Sequence, residues 1–274
     1  MNQTESDPDV LDEILSNLQS HLMQSYVFPD LAAEICRALD THREAGAYHQ
    51  LAGKTLADTL TQHIQAVSKD GHLFVRWYPD PLPEDKGSLL DNPEKLAELK
   101  LIARSRNYGI EKVERLPGNV GLLEVRYFYN PEWGSAPALT AAMTLLENTR
   151  ALIFDLRRCQ GGNPHMVVRM TSYLFKGEPV HLNSMYWRAE ERTEEFHTLT
   201  DLPGKRMPNI PVFILTSPQT FSAGEEFSYS LQALKRATLV GEATKGGAHP
   251  GSPHRLHAHF EVFIPAGRAI NPIT

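Results

Sequence analysis

The chain has 274 residues, 27 basic and 33 acidic, for a net charge of −6; 41% hydrophobic and 22% charged content excludes a disordered or fibrous chain. At roughly 100–200 residues per domain the length fits one large domain or two modest ones, and the acidic balance gives no general electrostatic reason to hold nucleic acid or an anionic membrane. Two cysteines fit a reducing compartment, and with no signal peptide or 18-residue apolar run in view the sequence predicts a cytoplasmic protein.

In chain order, Val10, Leu11, Ile14, Leu15, Leu18 and Leu22 recur at helical spacing until Tyr26-Val27-Phe28-Pro29-Asp30 interrupts them. A second helix carries Leu31, Ile35, Cys36 and Leu39. A third starts at Thr55 with Asp58 and continues through Leu56, Leu60, Ile64 and Val67. These stripes predict an N-terminal helical bundle over residues 1–69. Composition changes at Asp70, where a second region, 70–274, begins. LFVRWY at 73–78 predicts a strand, PDPLPEDKGSLLDNPE a loop, and 93–106 a polar helix. From Val120 strands and helices alternate: strands at 120–128, 151–156, 211–216, 237–241 and 256–264, helices at 137–149, 164–175 and 222–235. Short apolar strands separated by helices predict an α/β layer. The run from Arg188 to Glu195 reads as a solvated face or an irregular surface loop.

Two strand-to-helix junctions could carry chemistry. After the strand ending at Asp155, Gly161 and Gly162 precede a helix starting near Pro164. Glycines there let the chain turn sharply and leave amides free for an anion or an oxyanion; a simple tight turn explains them equally well. No Gly-Lys-Ser/Thr follows, so this is not a phosphate loop. At the second junction Ser222 lies in the first turn of a helix beside the small Ala223 and Gly224. The helix dipole and the free space suit a nucleophile, whereas capping by Thr220 or Ser222 is the plainer alternative.

The order Asp155-Leu156-Arg157…Gly161-Gly162, Thr220-Phe221-Ser222-Ala223-Gly224-Glu225 and Leu239-Val240-Gly241-Glu242-Ala243-Thr244 resembles the C-terminal processing (tail-specific) serine peptidase superfamily. Asp70-Gly71-His72-Leu73, Gly118–Leu122, Gly247–Gly251 and the terminal Asn271–Thr274 are similar to its branch around interphotoreceptor retinoid-binding protein. The resemblance implies a crotonase-like ββα spiral core behind the helical bundle, with no inserted PDZ domain in the short 79–119 segment. It implies Ser222 as nucleophile, an oxyanion hole from Ala223 and Gly161 or Gly162, and Glu225 as an acidic residue beside the nucleophile. Processing peptidases place a lysine base 25 residues after the serine, where this chain has Gly247, with Lys245 two residues earlier. The related tricorn protease uses a histidine that matches His72, and histidine suits proton transfer near neutrality. Gly71 replaces the serine that precedes that histidine, and the chain stops at Thr274, before an acidic residue of its relatives, so the resemblance implies either C-terminal truncation or an orienting acid from elsewhere.

His249, His254, His257 and His259 are a rival constellation, because His257 and His259 on one strand would face the same way, as a zinc site could use. Leu256, Ala258, Phe260, Val262 and Ile264 take the alternate positions, so the histidines share an outward face with Arg255 and Glu261. Cys159 at the glycine junction has no near-sequence histidine base, which disfavours a catalytic thiol. The expected function is peptide-bond hydrolysis of a peptide or unfolded protein by Ser222 and His72, with no metal or organic cofactor. The alternative is a non-catalytic protein that carries an apolar ligand on the same scaffold.

Overall fold

A computed structural model describes residues 8–82 and 93–274. The chain forms α1 (Pro8–Ser25), α2 (Pro29–Glu44), α3 (Gly53–Ser68), β1 (Phe74–Trp77), α4 (Pro93–Ser105), β2 (Ile110–Leu116), β3 (Val120–Val125), α5 (Ser135–Leu146) and β4 (Ala151–Asp155). It continues with α6 (Pro164–Ser172), β5 (His181–Trp187), β6 (Arg192–His197), β7 (Val212–Thr216), α7 (Ala223–Ala233), β8 (Thr238–Gly241), β9 (Gly251–His257), β10 (Phe260–Pro265) and β11 (Gly267–Ile270). The fold is mixed α/β. No described helix is long and apolar enough to cross a membrane. Most of the loop expected before the polar helix lies outside the described residues.

Two compact units divide the chain. The first holds the described residues up to 82 together with Tyr186–Thr193 and His249–Arg268. Its core is built from the predicted stripes, with Leu11, Ile14, Leu18 and Leu22 of α1 buried beside Ile35 and Leu39 of α2 and Leu56, Leu60 and Ile64 of α3. The third helix starts before Thr55, at an N-cap on Ala52, while Asp58 pairs with Lys54 one turn back. Strands β1, β10 and β9 form an antiparallel sheet in that order, with Val75 opposite Val262.

The strand expected over 256–264 is a hairpin instead: β9 ends at His257, and His257 pairs with Phe260 across the turn. Burial explains the reversal, since Leu256, Phe260, Val262 and Ile264 all enter one core while Ala258 and His259 form the turn. The run from Arg188, expected as a solvated face or an irregular surface loop, is largely exposed and ordered. A turn closes from Glu191 N–H to the Arg188 carbonyl, and β6 begins at Arg192. The Arg188 guanidinium donates to the Tyr26 carbonyl at 2.6 Å and the Met23 carbonyl at 3.1 Å, covering acceptors left free at the end of α1.

The second unit holds the described residues from 93 to Met185, Glu194–Ala248 and Ala269–Thr274. Its sheet runs β2–β3–β4–β7–β8, with β3, β4, β7 and β8 parallel and β2 antiparallel at one edge. Leu123, Phe154 and Ile214 meet Met143 of α5, Met170 of α6 and Phe227 of α7 in one core. β7, expected to be buried throughout, alternates: Val212, Ile214 and Thr216 are buried, and Phe213 is 38% exposed.

As an edge strand, β1 leaves backbone groups unpaired on its outer side. Thr61 of α3 covers them, its hydroxyl accepting from Val75 N–H at 2.9 Å, and Gln65 donates to the Leu73 carbonyl at 3.0 Å. Thr61→Val should therefore lower unfolding free energy in urea by about 1–2 kcal/mol. Thr59→Val, which loses only an exposed bond within its own helix, should cost under about 0.5 kcal/mol.

Candidate active site

Parallel neighbours in a sheet end at the same edge, and ligand sites in open α/β sheets form there. Asp155 is in register with Leu215, so the loops that follow β4 and β7 leave side by side. Side chains lace them together. The buried Thr220 hydroxyl donates to the Leu156 carbonyl at 2.8 Å, Ser217 donates to the Arg157 carbonyl at 2.5 Å, and Phe221 N–H donates to the Cys159 carbonyl at 3.0 Å. Thr220, one of the two expected caps, thus joins loops, while Ser222 is the N-cap of α7.

Ser222 has φ 53 and ψ −121, a conformation strained for any residue with a Cβ. Gly161 lies directly against it: a Cβ on Gly161 would stand 2.5 Å from Ser222 Cβ and 3.1 Å from Ala223 N. Gly162, at φ 133, is pressed against the Phe128 carbonyl, 2.2 Å from where a Cβ would be. Phe128 N–H donates to the Gly161 carbonyl at 2.7 Å, and Asn163 N–H donates to the Phe128 carbonyl at 2.6 Å. Both glycines are required by close approach as well as by positive φ. None of the Gly161, Gly162 and Ala223 amides donates to an oxygen acceptor among the described residues.

Glu225 binds backbone with both oxygens. One accepts from Ser222 N–H and Gly247 N–H, each at 2.8 Å; the other accepts from the Thr244 hydroxyl and Gly246 N–H, each at 2.7 Å. It thereby fixes Ser222 and the 244–247 loop at once. Lys245 on that loop is exposed, its ammonium 4.4 Å above the Phe221 ring. Burial pushes the Cys159 thiol up to about 12, outweighing the Gly161 amide, which leaves it protonated and a poor nucleophile.

His72 belongs to the first unit. Asp70 builds its turn: the carboxylate accepts His72 N–H at 2.9 Å and the Tyr26 hydroxyl at 3.2 Å, and both Asp70 and His72 are buried. Burial, then the Asp70 charge, pushes the Tyr26 phenol above its usual range. His249 is half-buried, edge-on to Phe28 at 5.2 Å. Burial lowers its imidazole pKa against the opposing pull of Asp70. His257 ends β9 whereas His259 lies in the β9–β10 turn, so they are not alternate residues of one strand, and no group of three or more potential ligands among the described residues is placed to hold a metal.

A glycine loop at the end of one parallel strand and a helix-capping serine after its neighbour thus lie side by side at one edge of the sheet. The chain belongs to peptidase family S41, whose profile matches residues 119–273, and is a peptidase of the serine class. Residues 9–108 match the N-terminal domain of Peptidase_S41 in eukaryotic IRBP. Among solved structures, mature CPAF is similar at TM-score 0.61 and 11% identity, covering 96% of this chain and 90% of that one. The photosystem II D1 C-terminal processing protease is similar at 0.53 and 13%, covering 97% and 89%. The tricorn protease is similar at 0.53 and 12%, covering 93% of this chain and 32% of that one.

Glu226, missed in the sequence, follows the serine by one helical turn, and its N–H donates to the Ser222 carbonyl at 3.0 Å. Burial pushes its carboxyl up to about 7, partly offset by the neighbouring buried Asn183 side chain. A carboxyl raised in the folded state stabilises fully below its unfolded value near 4.5, and that contribution is lost as pH rises through about 7. Glu226→Gln should therefore flatten stability against pH and exceed wild type at pH 8 by about 2 kcal/mol in urea denaturation.

Proposed function

We propose that this chain is a serine endopeptidase acting on peptides or unfolded proteins, with Ser222 as nucleophile and His72 as general base. The observation that carries the reading is Ser222 itself, strained at the head of α7 with Gly161 against its Cβ. Ser222 Oγ attacks the carbonyl carbon while His72 takes its proton; His72 then protonates the leaving amine, and water hydrolyses the acyl-serine. The Ala223 amide, with that of Gly161 or Gly162, meets the oxyanion, each such donor being worth about 3–4 kcal/mol. Glu225 acts as a positioning residue, its oxygens already engaged by four donors.

His72 is favoured over Lys245 because a lysine base needs burial or a cationic neighbour to give up its proton, and Lys245 is exposed. The finer architecture we propose is a crotonase-like spiral behind the N-terminal helices, without an inserted PDZ domain. Family membership argues against the apolar-ligand carrier.

A fluorophosphonate probe should label wild type at Ser222, and Ser222→Ala should lose the label while keeping its circular dichroism. Equal labelling of both proteins removes Ser222 from the mechanism. The base is tested on an unstructured peptide across pH 5–9. Wild-type rate should fall on acidification as the imidazolium loses its capacity to accept a proton, and His72→Ala should lose several orders of magnitude while Lys245→Ala stays near wild type. The opposite pattern assigns the base to Lys245.

A further inference from the structure

A polar cavity of about 570 Å³ lies in the second unit, lined in part by Arg106, Arg126, Arg158, Glu111, Tyr129 and Gln160. Gln160 immediately precedes Gly161, and Cα atoms of consecutive residues are about 3.8 Å apart, so the cavity adjoins the loop that backs Ser222. Gln160 N–H donates to the Arg126 carbonyl at 3.0 Å, which ties that wall to the chain running on from β3.

The charges around the cavity do not balance. Glu124 pairs with Arg158 and lies 3.1 Å from Arg126 Nε, and Glu111 lies 3.6 Å from Arg126 Nη2. Arg106 is exposed and has no carboxylate partner among the described residues. Two carboxylates thus offset two of the three guanidiniums, and the surplus one is Arg106, on the stretch of lining supplied by residues 105–111.

That wall is also strained. Asn107, Tyr108 and Gly109 follow one another at φ 46, 54 and 81. The Asn107 side-chain amide donates to the Ile110 carbonyl at 2.9 Å, and the Gly109 carbonyl accepts from Arg126 N–H at 2.8 Å. A Cβ on Gly109 would stand 1.9 Å from the Tyr127 carbonyl oxygen. Strain of this kind persists only where neighbouring structure enforces it, and it gathers at functional sites.

We propose that this cavity is a substrate subsite for a peptide carboxylate, with Arg106 as its primary guanidinium; the assignment rests on reading Ser222 as a peptidase nucleophile. A guanidinium fork matches a carboxylate with two parallel hydrogen bonds, and with Arg126 and Arg158 offset by Glu111 and Glu124 the net attraction comes from Arg106. The carboxylate can come from an aspartate or glutamate side chain or from the peptide's own C-terminus.

Binding is measured by fluorescence anisotropy on the Ser222→Ala protein, with four labelled eight-residue unstructured peptides. These are a neutral C-terminal amide, the same sequence as the free acid, an amide with glutamate at alternate positions, and its glutamine counterpart. At least one carboxylate peptide should bind tenfold or more tighter than its neutral counterpart, and which one does so names the source. Arg106→Gln should abolish that preference, and Arg106→Lys should restore part of it. Equal affinity for all four peptides, no binding of any, or a preference unchanged in Arg106→Gln overturns the subsite. The readout needs no turnover. Arg106-dependent binding by a chain whose Ser222 never takes the fluorophosphonate would keep the carboxylate site and remove only the peptidase reading.

Discussion

Ser222 is held at φ 53 and ψ −121 by its neighbours, and the geometry of the candidate site depends on that restraint. A residue so placed stores of the order of 1–3 kcal/mol of strain and relaxes unless the surroundings over-determine it. Glu225 supplies the restraint: one oxygen is shared between Ser222 N–H and Gly247 N–H, the other between the Thr244 hydroxyl and Gly246 N–H. The same contacts order the loop after β8, so Ser222 and that loop cannot relax separately. They also occupy both Glu225 oxygens with four donors. The absent side chain of Gly161 is the complementary condition, since any Cβ there would collide with Ser222.

Segments whose burial follows a simple period were legible in the sequence. Leu11, Ile14, Leu15, Leu18 and Leu22 are the buried face of α1, and the apolar run of β4 pairs on both sides within a parallel sheet. Legibility failed where another element supplies the partners. β2, with Glu111, Lys112, Glu114 and Arg115 in seven residues, looks like a polar connector and becomes a strand only because β3 pairs with it. Residues 256–264 alternate like one long strand, yet two of them form a turn, because a core that accepts Leu256 also accepts Phe260 when the chain reverses. Alternation alone does not distinguish one strand from two halves of a hairpin.

The site divides in the same way. Gly161, Gly162, Ser222 and Ala223 announce themselves because their chemistry is local: small residues at strand-to-helix junctions. Glu225 was visible as an acid three residues after the serine, but its work as a four-bond clamp depends on amides some twenty residues downstream. Glu226 carries no signal beyond being a second acid. What sets it apart is burial beside Asn183, a residue from a different part of the chain. The arginines around the cavity are likewise scattered from 106 to 158, and the close approach of the Gly109 turn to Tyr127 and the Gln160 N–H bond to the Arg126 carbonyl gather them.

Charge at the sheet edge ties these pieces together. Asp155 and Glu124 end neighbouring parallel strands, and both are buried at the edge from which the glycine loop departs. Two bare carboxylates there would oppose the negative charge of the tetrahedral intermediate proposed at Ser222, an interaction that strengthens as water is excluded. The loop carries its own answer. Burial alone would raise the Asp155 carboxyl, but hydrogen bonds from the Arg157 side chain at 3.0 and 2.7 Å, with its charge, outweigh burial and hold it below its ordinary range. Arg158 does the same service across to Glu124. Consecutive arginines therefore neutralise consecutive strand ends, and the amides beyond them face an edge whose negative charge has been cancelled in place.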